Sequence, residues 1–382
     1  MKQYCEKFVL LLTIVLLSGG ACRKPYSPPA INANRNFLVV DGFVNTGAGG
    51  ITTIKLSRTW NLADTLISKP ESGASVSIEQ ENGGTFFLQH KGNGVYESNP
   101  LTLATNRRYR IVITGGGGVK YQSEYVQAKP APPIDSISWE QPDDLKIFAT
   151  AHDASGATKY YRWDFVETWE YHSFYDGWLG QKNGRIFYRD TAQKNEVYIC
   201  YTTEESHDII LGSSISLSED VIAKQPITVI PQNSVKGEQR YSMLLRQYAL
   251  TENAYQYWLQ LQKTSQGLGT LFDPQPSQLA GNIVNLANPD EPVIGYLSAG
   301  TVSEKRIFIH KRVLHDWVAL SPGEACNIQF TSQDPNDPLR WPWPDTSFSP
   351  FYFITGGGLA VIKTSCVDCM RRGGTNQQPS FW

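Results

Sequence analysis

Between residues 37 and 126 the chain repeats one local pattern: a short run of alternating polarity, then a turn rich in glycine or asparagine. FLVVDGFVN at residues 37–45 leads to TTIKLSR at 52–58, where Ile54 and Leu56 alternate with Thr53, Lys55 and Ser57. GASVSIEQ at 73–80 alternates Val76 and Ile78 with polar residues. ENGG then offers a hairpin turn into the run at 85–90, and GNG offers the next turn. VYE at 95–97, YRIVIT at 109–114 and the run at 121–126 complete the series. Successive side chains of a strand point to opposite faces, so each run can give one face to a shared core. Many short strands at turn-bounded spacing predict a β-sandwich.

Gly115 to Gly118 could pass for a phosphate-binding loop. No Lys-Ser/Thr pair follows and strands flank it, so a hairpin turn is the reading. Pro130, Pro132 and Pro133 then mark a boundary.

Beyond them, YYRWDFVETWEY at 160–171 is the clearest strand. Tyr161, Trp163, Phe165, Trp169 and Tyr171 share one face with Glu167, while Arg162, Asp164, Thr168 and Glu170 share the other. A carboxylate in an aromatic stripe is either an acid of raised pKa or a group reaching water or an arginine at the sheet rim; the second is favoured. Residues 195–201 and 239–249 read as strands, with short ones at 208–211 and 227–230. Thr251 is placed to cap a helix running to about Thr264, with Glu252 at its positive end. The apolar face of that helix, through Ala254, Tyr255, Trp258, Leu259 and Leu261, predicts packing on a sheet. Strands at 293–299 and 305–310 and a last hairpin over 351–364 follow. Between them, Arg340-Trp341-Pro342-Trp343-Pro344 is a proline-stiffened loop; Trp341 and Trp343 are candidate binding residues if exposed.

The first residues carry a different message. Lys2 and Lys7 precede an apolar run at 8–17, too short to span a bilayer, and Gly19, Gly20 and Ala21 then lead into Cys22. This is the pattern of a lipoprotein signal, with residues 1–21 removed and Cys22 lipidated. Residues 22–35 carry three prolines and no apolar period, so they read as an extended tether. Cys5 leaves with the signal, and Cys200, Cys326, Cys366 and Cys369 remain. Four cysteines in an exported chain read as two disulfides of open connectivity; a zinc site built on Cys366 and Cys369 is the rival.

Net charge is −2, which gives no basic excess for nucleic acid. No HExxH, GxSxG or Walker loop occurs, and the six histidines are scattered. Ser206-His207-Asp208 is contiguous, whereas catalytic triads are assembled from distant positions. No cofactor or metal is implied, and the expectation is a binding protein rather than an enzyme. An envelope glycan or peptide hydrolase is the alternative, since paired carboxylates need no local motif. A structural or adhesion module is the third reading.

FLVVDGFVNTG, GASVSIE, GVYES, YRIVIT, YQSEYVQAKPAPPIDSI, GLGTLFDPQPSQLAGNI and the terminal CVDCMRRGGTNQQPSFW resemble the domain of unknown function 4249 family of Bacteroidota lipoproteins. The resemblance implies an outer-membrane lipoprotein whose partner is a TonB-dependent receptor, here in nutrient uptake. It assigns no catalytic residue and no small ligand. Arg23 and Lys24 stand where surface-displayed relatives carry acidic residues, so both the periplasmic and the surface face stay open. The expected architecture is mainly β. Residues 36–129 form a sandwich of immunoglobulin-like or carboxypeptidase-regulatory-like kind, and residues 134–382 form a larger β-rich domain with one notable helix.

Overall fold

The computed structural model describes residues 36–59, 69–217, 219–266, 281–318, 323–331, 347–355 and 358–382. The chain is mainly β, as its alternating pattern demands. No helix among the described residues is long and apolar enough to cross a membrane.

Two sheets built largely from residues 38–127 enclose the first core. One runs Ser298–Gly300, Leu38–Asn45, Thr53–Arg58, Val95–Glu97, Gln89–Gly92, with Lys69–Pro70 added beside Thr53–Arg58. The other runs Ile283–Asn285, Lys120–Ser123, Arg108–Thr114, Ser75–Gln80, Thr85–Phe87, with Val126–Gln127 added beside Arg108–Thr114. The alternating residues do what the period requires: Ile54, Leu56, Val76, Ile78, Ile111 and Ile113 are all buried between the sheets. The glycine run is a turn, closed by Gly115 N–H donating to the Val119 carbonyl at 2.9 Å.

This first sandwich reaches past the proline boundary. Ile283–Asn285 pairs antiparallel with Lys120–Ser123, and Ser298–Gly300 pairs parallel with Leu38–Asn45. Ile283, Val293, Leu297 and Ala299 join the first core. Glycine permits that close approach: a Cβ on Gly295 would lie 2.2 Å from the Val40 carbonyl oxygen, and one on Gly300 1.9 Å from that of Lys129. The proline segment is also tied down. Gln247 Nε2 donates to the Pro132 carbonyl at 2.8 Å, and Ala131 N–H donates to Thr301 Oγ1 at 2.9 Å.

The second core lies between a three-stranded and a five-stranded sheet. The first holds Ile134–Glu140, Leu145–His152 and Val221–Ile230. The second runs Ile199–Glu205, Tyr160–His172, Arg240–Leu250, Val302–His310, with Ile210–Ser213 also on Tyr160–His172. The aromatic stripe Tyr161, Trp163, Phe165, Trp169, Tyr171 faces this core. Trp163 Nε1 donates to Gln247 Oε1 at 2.9 Å, so its one polar group is satisfied.

Two α-helices stand among the described residues. The longer one, α2, is Glu252–Gln266; Ala254 N–H donates to Thr251 Oγ1, which fits the expected cap. The shorter one, α1, is Thr191–Tyr198, and it corrects the strand expected from residue 195. Asp190 and Gln193 form a reciprocal capping box there. The strand starts only at Ile199. The D-x-x-Q signature was legible and outranks the apolar run after it.

Cys200 is bonded to Cys369 within this second core, and Cys326 to Cys366 in a smaller cluster with Ile362 and Val367. All four thiols of the zinc alternative are therefore engaged in S–S bonds. Cys22 and the loop carrying Trp341 and Trp343 lie outside the described residues.

Candidate functional site

The Tyr160–His172 strand has two faces, and the polar one builds the site. Register places Arg162 beside Tyr248 and Val302, Asp164 beside Arg246 and Glu304, and Val166 beside Glu205 and Leu244. These rows form the outer surface of the five-stranded sheet. Helix α2 covers one end of it through Ala254, Tyr255 and Trp258, which pack with Tyr160, Tyr248 and Leu250.

The first sandwich faces the same surface. Phe43, Asp41 and Lys55 project from its sheet, and between the two lies a cleft of about 780 Å³. Phe43 and Tyr248 make edge-to-face contact across it. Tyr257 stacks obliquely on Tyr296, at 5.3 Å between centroids, and meets Trp258 edge-on at 5.7 Å. At the mouth Lys55 Nζ reaches Glu205 Oε2 at 3.6 Å, with both side chains more than half exposed.

The floor is a chain of charges. Arg246 Nε donates to Asp164 Oδ1, and Arg162 approaches Asp164 Oδ2 at 3.4 Å. The Arg162 guanidinium lies 4.6 Å from the Tyr248 ring and 4.4 Å from the Trp258 ring. Two ring faces thus hold a partly desolvated cation. Burial disfavours the charge of Arg246, yet Asp164 holds its pKa above the ordinary value. Burial and the Asp164 charge push the Tyr248 hydroxyl well above its usual range. Burial, with Asp41 adding to it, pushes Tyr257 up to about 12.

A family model, Domain of unknown function (DUF4249), matches residues 23–306. The chain belongs to the DUF4249 family. That match spans both strands Ile283–Asn285 and Ser298–Gly300, which this DUF4249 chain threads back into its first sandwich. No curated protein matches it. Among the solved structures that align with it are two domains of biofilm-associated proteins. The BSP domain of a biofilm-associated protein gives a TM-score of 0.15 at 6% identity, covering 73% of this chain and 60% of that one. The B domain of a biofilm-associated protein gives 0.13 at 7%, covering 72% and 87%. The chain thus spans about 60% of the length of the first of them.

Several residues weighed from the DUF4249 sequence fall elsewhere. Glu167 is buried and occupied: Lys236 Nζ donates to one carboxylate oxygen and the Tyr241 hydroxyl to the other at 2.9 Å. Its partner is a lysine, where an arginine or water was expected. Lys236 also lies 4.8 Å from the Trp169 ring. None of the four cysteines lines the cleft: Cys200 and Cys369 lie in the core that the aromatic stripe faces, and Cys326 and Cys366 lie in a separate cluster with Ile362 and Val367. Ser206, His207 and Asp208 do line the cleft, but Ser206 Oγ accepts from the Phe165 N–H, a structural bond. Sequence reasoning missed Arg246 and Asp41 as site residues. The available signal was the polar face of the strand, with Arg162 and Asp164 two apart on one side.

Proposed function

We propose that this DUF4249 protein is a lipid-anchored binding subunit of an envelope complex, acting beside a TonB-dependent outer-membrane receptor in nutrient uptake. The observation that carries the binding reading is the cleft. Two sandwiches, each with its own core, face one another over a space that suits a small molecule or a peptide segment. Its walls are aromatic and its floor is charged, the combination that supplies contact area and orientation together. The Ala21-Cys22 junction and the proline tether support the anchor. The family resemblance supports the receptor. Binding rather than turnover fits Glu167, the buried carboxylate of the aromatic stripe, because Lys236 and Tyr241 already engage it.

The test is affinity purification of the intact protein from detergent-solubilised envelopes. An outer-membrane receptor should co-purify. Cys22→Ala should move the protein from the detergent phase to the aqueous phase and abolish that recovery. Unchanged partitioning of the variant would remove the anchor. Absence of any receptor with the wild type would remove the partner.

A further inference from the structure

The cleft is unevenly charged. Its lining holds Asp41, Glu97, Asp164, Glu205, Asp208 and Glu304 against three side-chain cations, Lys55, Arg162 and Arg246. Asp164 is committed to the two arginines and Glu205 to Lys55. Among the described residues, Asp41, Glu97 and Glu304 form no ion pair. Low-dielectric walls focus such an excess, so a positive group entering the cleft is favoured.

The chain's own cations show how this space receives one. Arg162 lies against the faces of Tyr248 and Trp258 and meets Asp164, so rings and a carboxylate bind a guanidinium together. Lys55 extends across the mouth to Glu205, and that pair is exposed on both sides. An exposed pair is worth little, so an incoming cation can replace Lys55 without leaving a buried charge unpaired. Asp41 is the cross-strand neighbour of Lys55, and Glu304 is the cross-strand neighbour of Arg246. Each opposing sheet face thus offers a carboxylate beside a committed cation.

We propose that the cleft binds a ligand carrying alkylammonium or guanidinium groups, which takes the place of Lys55 on Glu205 and is held further by Asp41 and Glu304. This rests on the cleft being the binding site of the subunit. Two sources share that chemistry, a basic peptide segment and a free polyamine.

Calorimetry on the full-length lipidated protein in non-ionic detergent tests it, with tetra-arginine, spermidine and, as control, tetra-glutamate. One cationic probe should bind, weaken with added salt, and leave the control without a signal. Which probe binds identifies the source. Asp41→Asn with Glu304→Gln should weaken binding about tenfold. Both side chains are exposed, so an unchanged thermal midpoint should accompany the loss. Lys55→Ala should tighten binding severalfold, because it removes the competitor for Glu205. Binding of neither cation, equal binding of tetra-glutamate, indifference to the double substitution, or unchanged or weaker binding in Lys55→Ala would each overturn the proposal. Receptor recovery is scored on the same preparations. A receptor retained while no cation binds removes the ligand class and leaves the subunit reading standing. Cation binding without a receptor does the reverse.

Discussion

Phe43 stands edge-on to Tyr248, ring centroids 5.0 Å apart and planes at 71°, and this contact joins the sheet of one sandwich to the outer sheet face of the other. Edge-to-face pairs contribute about 0.5–1.5 kcal/mol beyond the area they bury. Phe43→Ala should therefore loosen the two bodies against each other with little effect on either core. The expected outcome is about 1–2 kcal/mol lost in denaturant unfolding. Faster proteolytic cleavage around residues 130–133 should accompany it. Equal cleavage rates in mutant and wild type would show that the strand pairings and the bonds to the proline segment fix the arrangement without this ring contact.

Glu167 is a structural anchor on this reading. Glu167→Gln leaves Lys236 only the more exposed Glu204 carboxylate, 3.7 Å away, as counter-charge and weakens the acceptor for Tyr241, which should cost about 1–3 kcal/mol. Chemical denaturation measures it. A variant of full stability that has lost a hydrolysis of envelope polymers shown by the wild type would restore the enzyme alternative.

Acid should attack the other face of the same strand. Burial works against ionised Glu170, but hydrogen bonds from His172 and Arg240 outweigh it and hold its carboxyl below the ordinary value. Arg240 donates to Glu170 Oε2 from Nε at 2.8 Å and from Nη2 at 2.6 Å. A depressed folded-state pKa means stability that is present above the unfolded value of about 4.3 and lost as pH falls through the folded one. Wild type should lose stability below about pH 4.3 more steeply than Glu170→Gln. Parallel pH profiles for the two would refute the assignment.

The Cys200–Cys369 bond closes 169 residues and Cys326–Cys366 closes 40. Loop-closure entropy makes the longer closure the more stabilising, in a typical range of about 2–4 kcal/mol. Replacing Cys200 and Cys369 by serine should lower the unfolding midpoint more than replacing the other pair. Mass spectrometry of unreduced digests should recover these two linkages. A Cys366–Cys369 peptide would contradict the connectivity.

A fragment of residues 36–129 lacks Ile283–Asn285 and Ser298–Gly300 and the core side chains Ile283, Val293, Leu297 and Ala299. Its unfolding midpoint in urea should fall below that of the intact chain. An equal midpoint would show that those strands are dispensable.

The sequence by itself determined the local structure of most of the first ninety described residues. Ile54 and Leu56, or Val76 and Ile78, are buried because a period of two leaves each strand only one apolar face. It determined the cap at Thr251 and the inward stripe from Tyr161 to Tyr171 for the same reason, since caps and alternation act within a few residues. The helix at Thr191–Tyr198 was equally local and was misread because an apolar run masked its capping box. Only the tertiary structure decided what depends on distant partners. Nothing around Ile283 or Ser298 announces a place in the first sandwich; that follows from glycines 295 and 300 meeting Val40 and Lys129. The pairing of four cysteines was open because connectivity depends on where the segments come together. The cleft exists because Asp41 and Lys55 on one sheet face Arg162, Asp164 and Arg246 on another, a meeting of surfaces that no local period encodes.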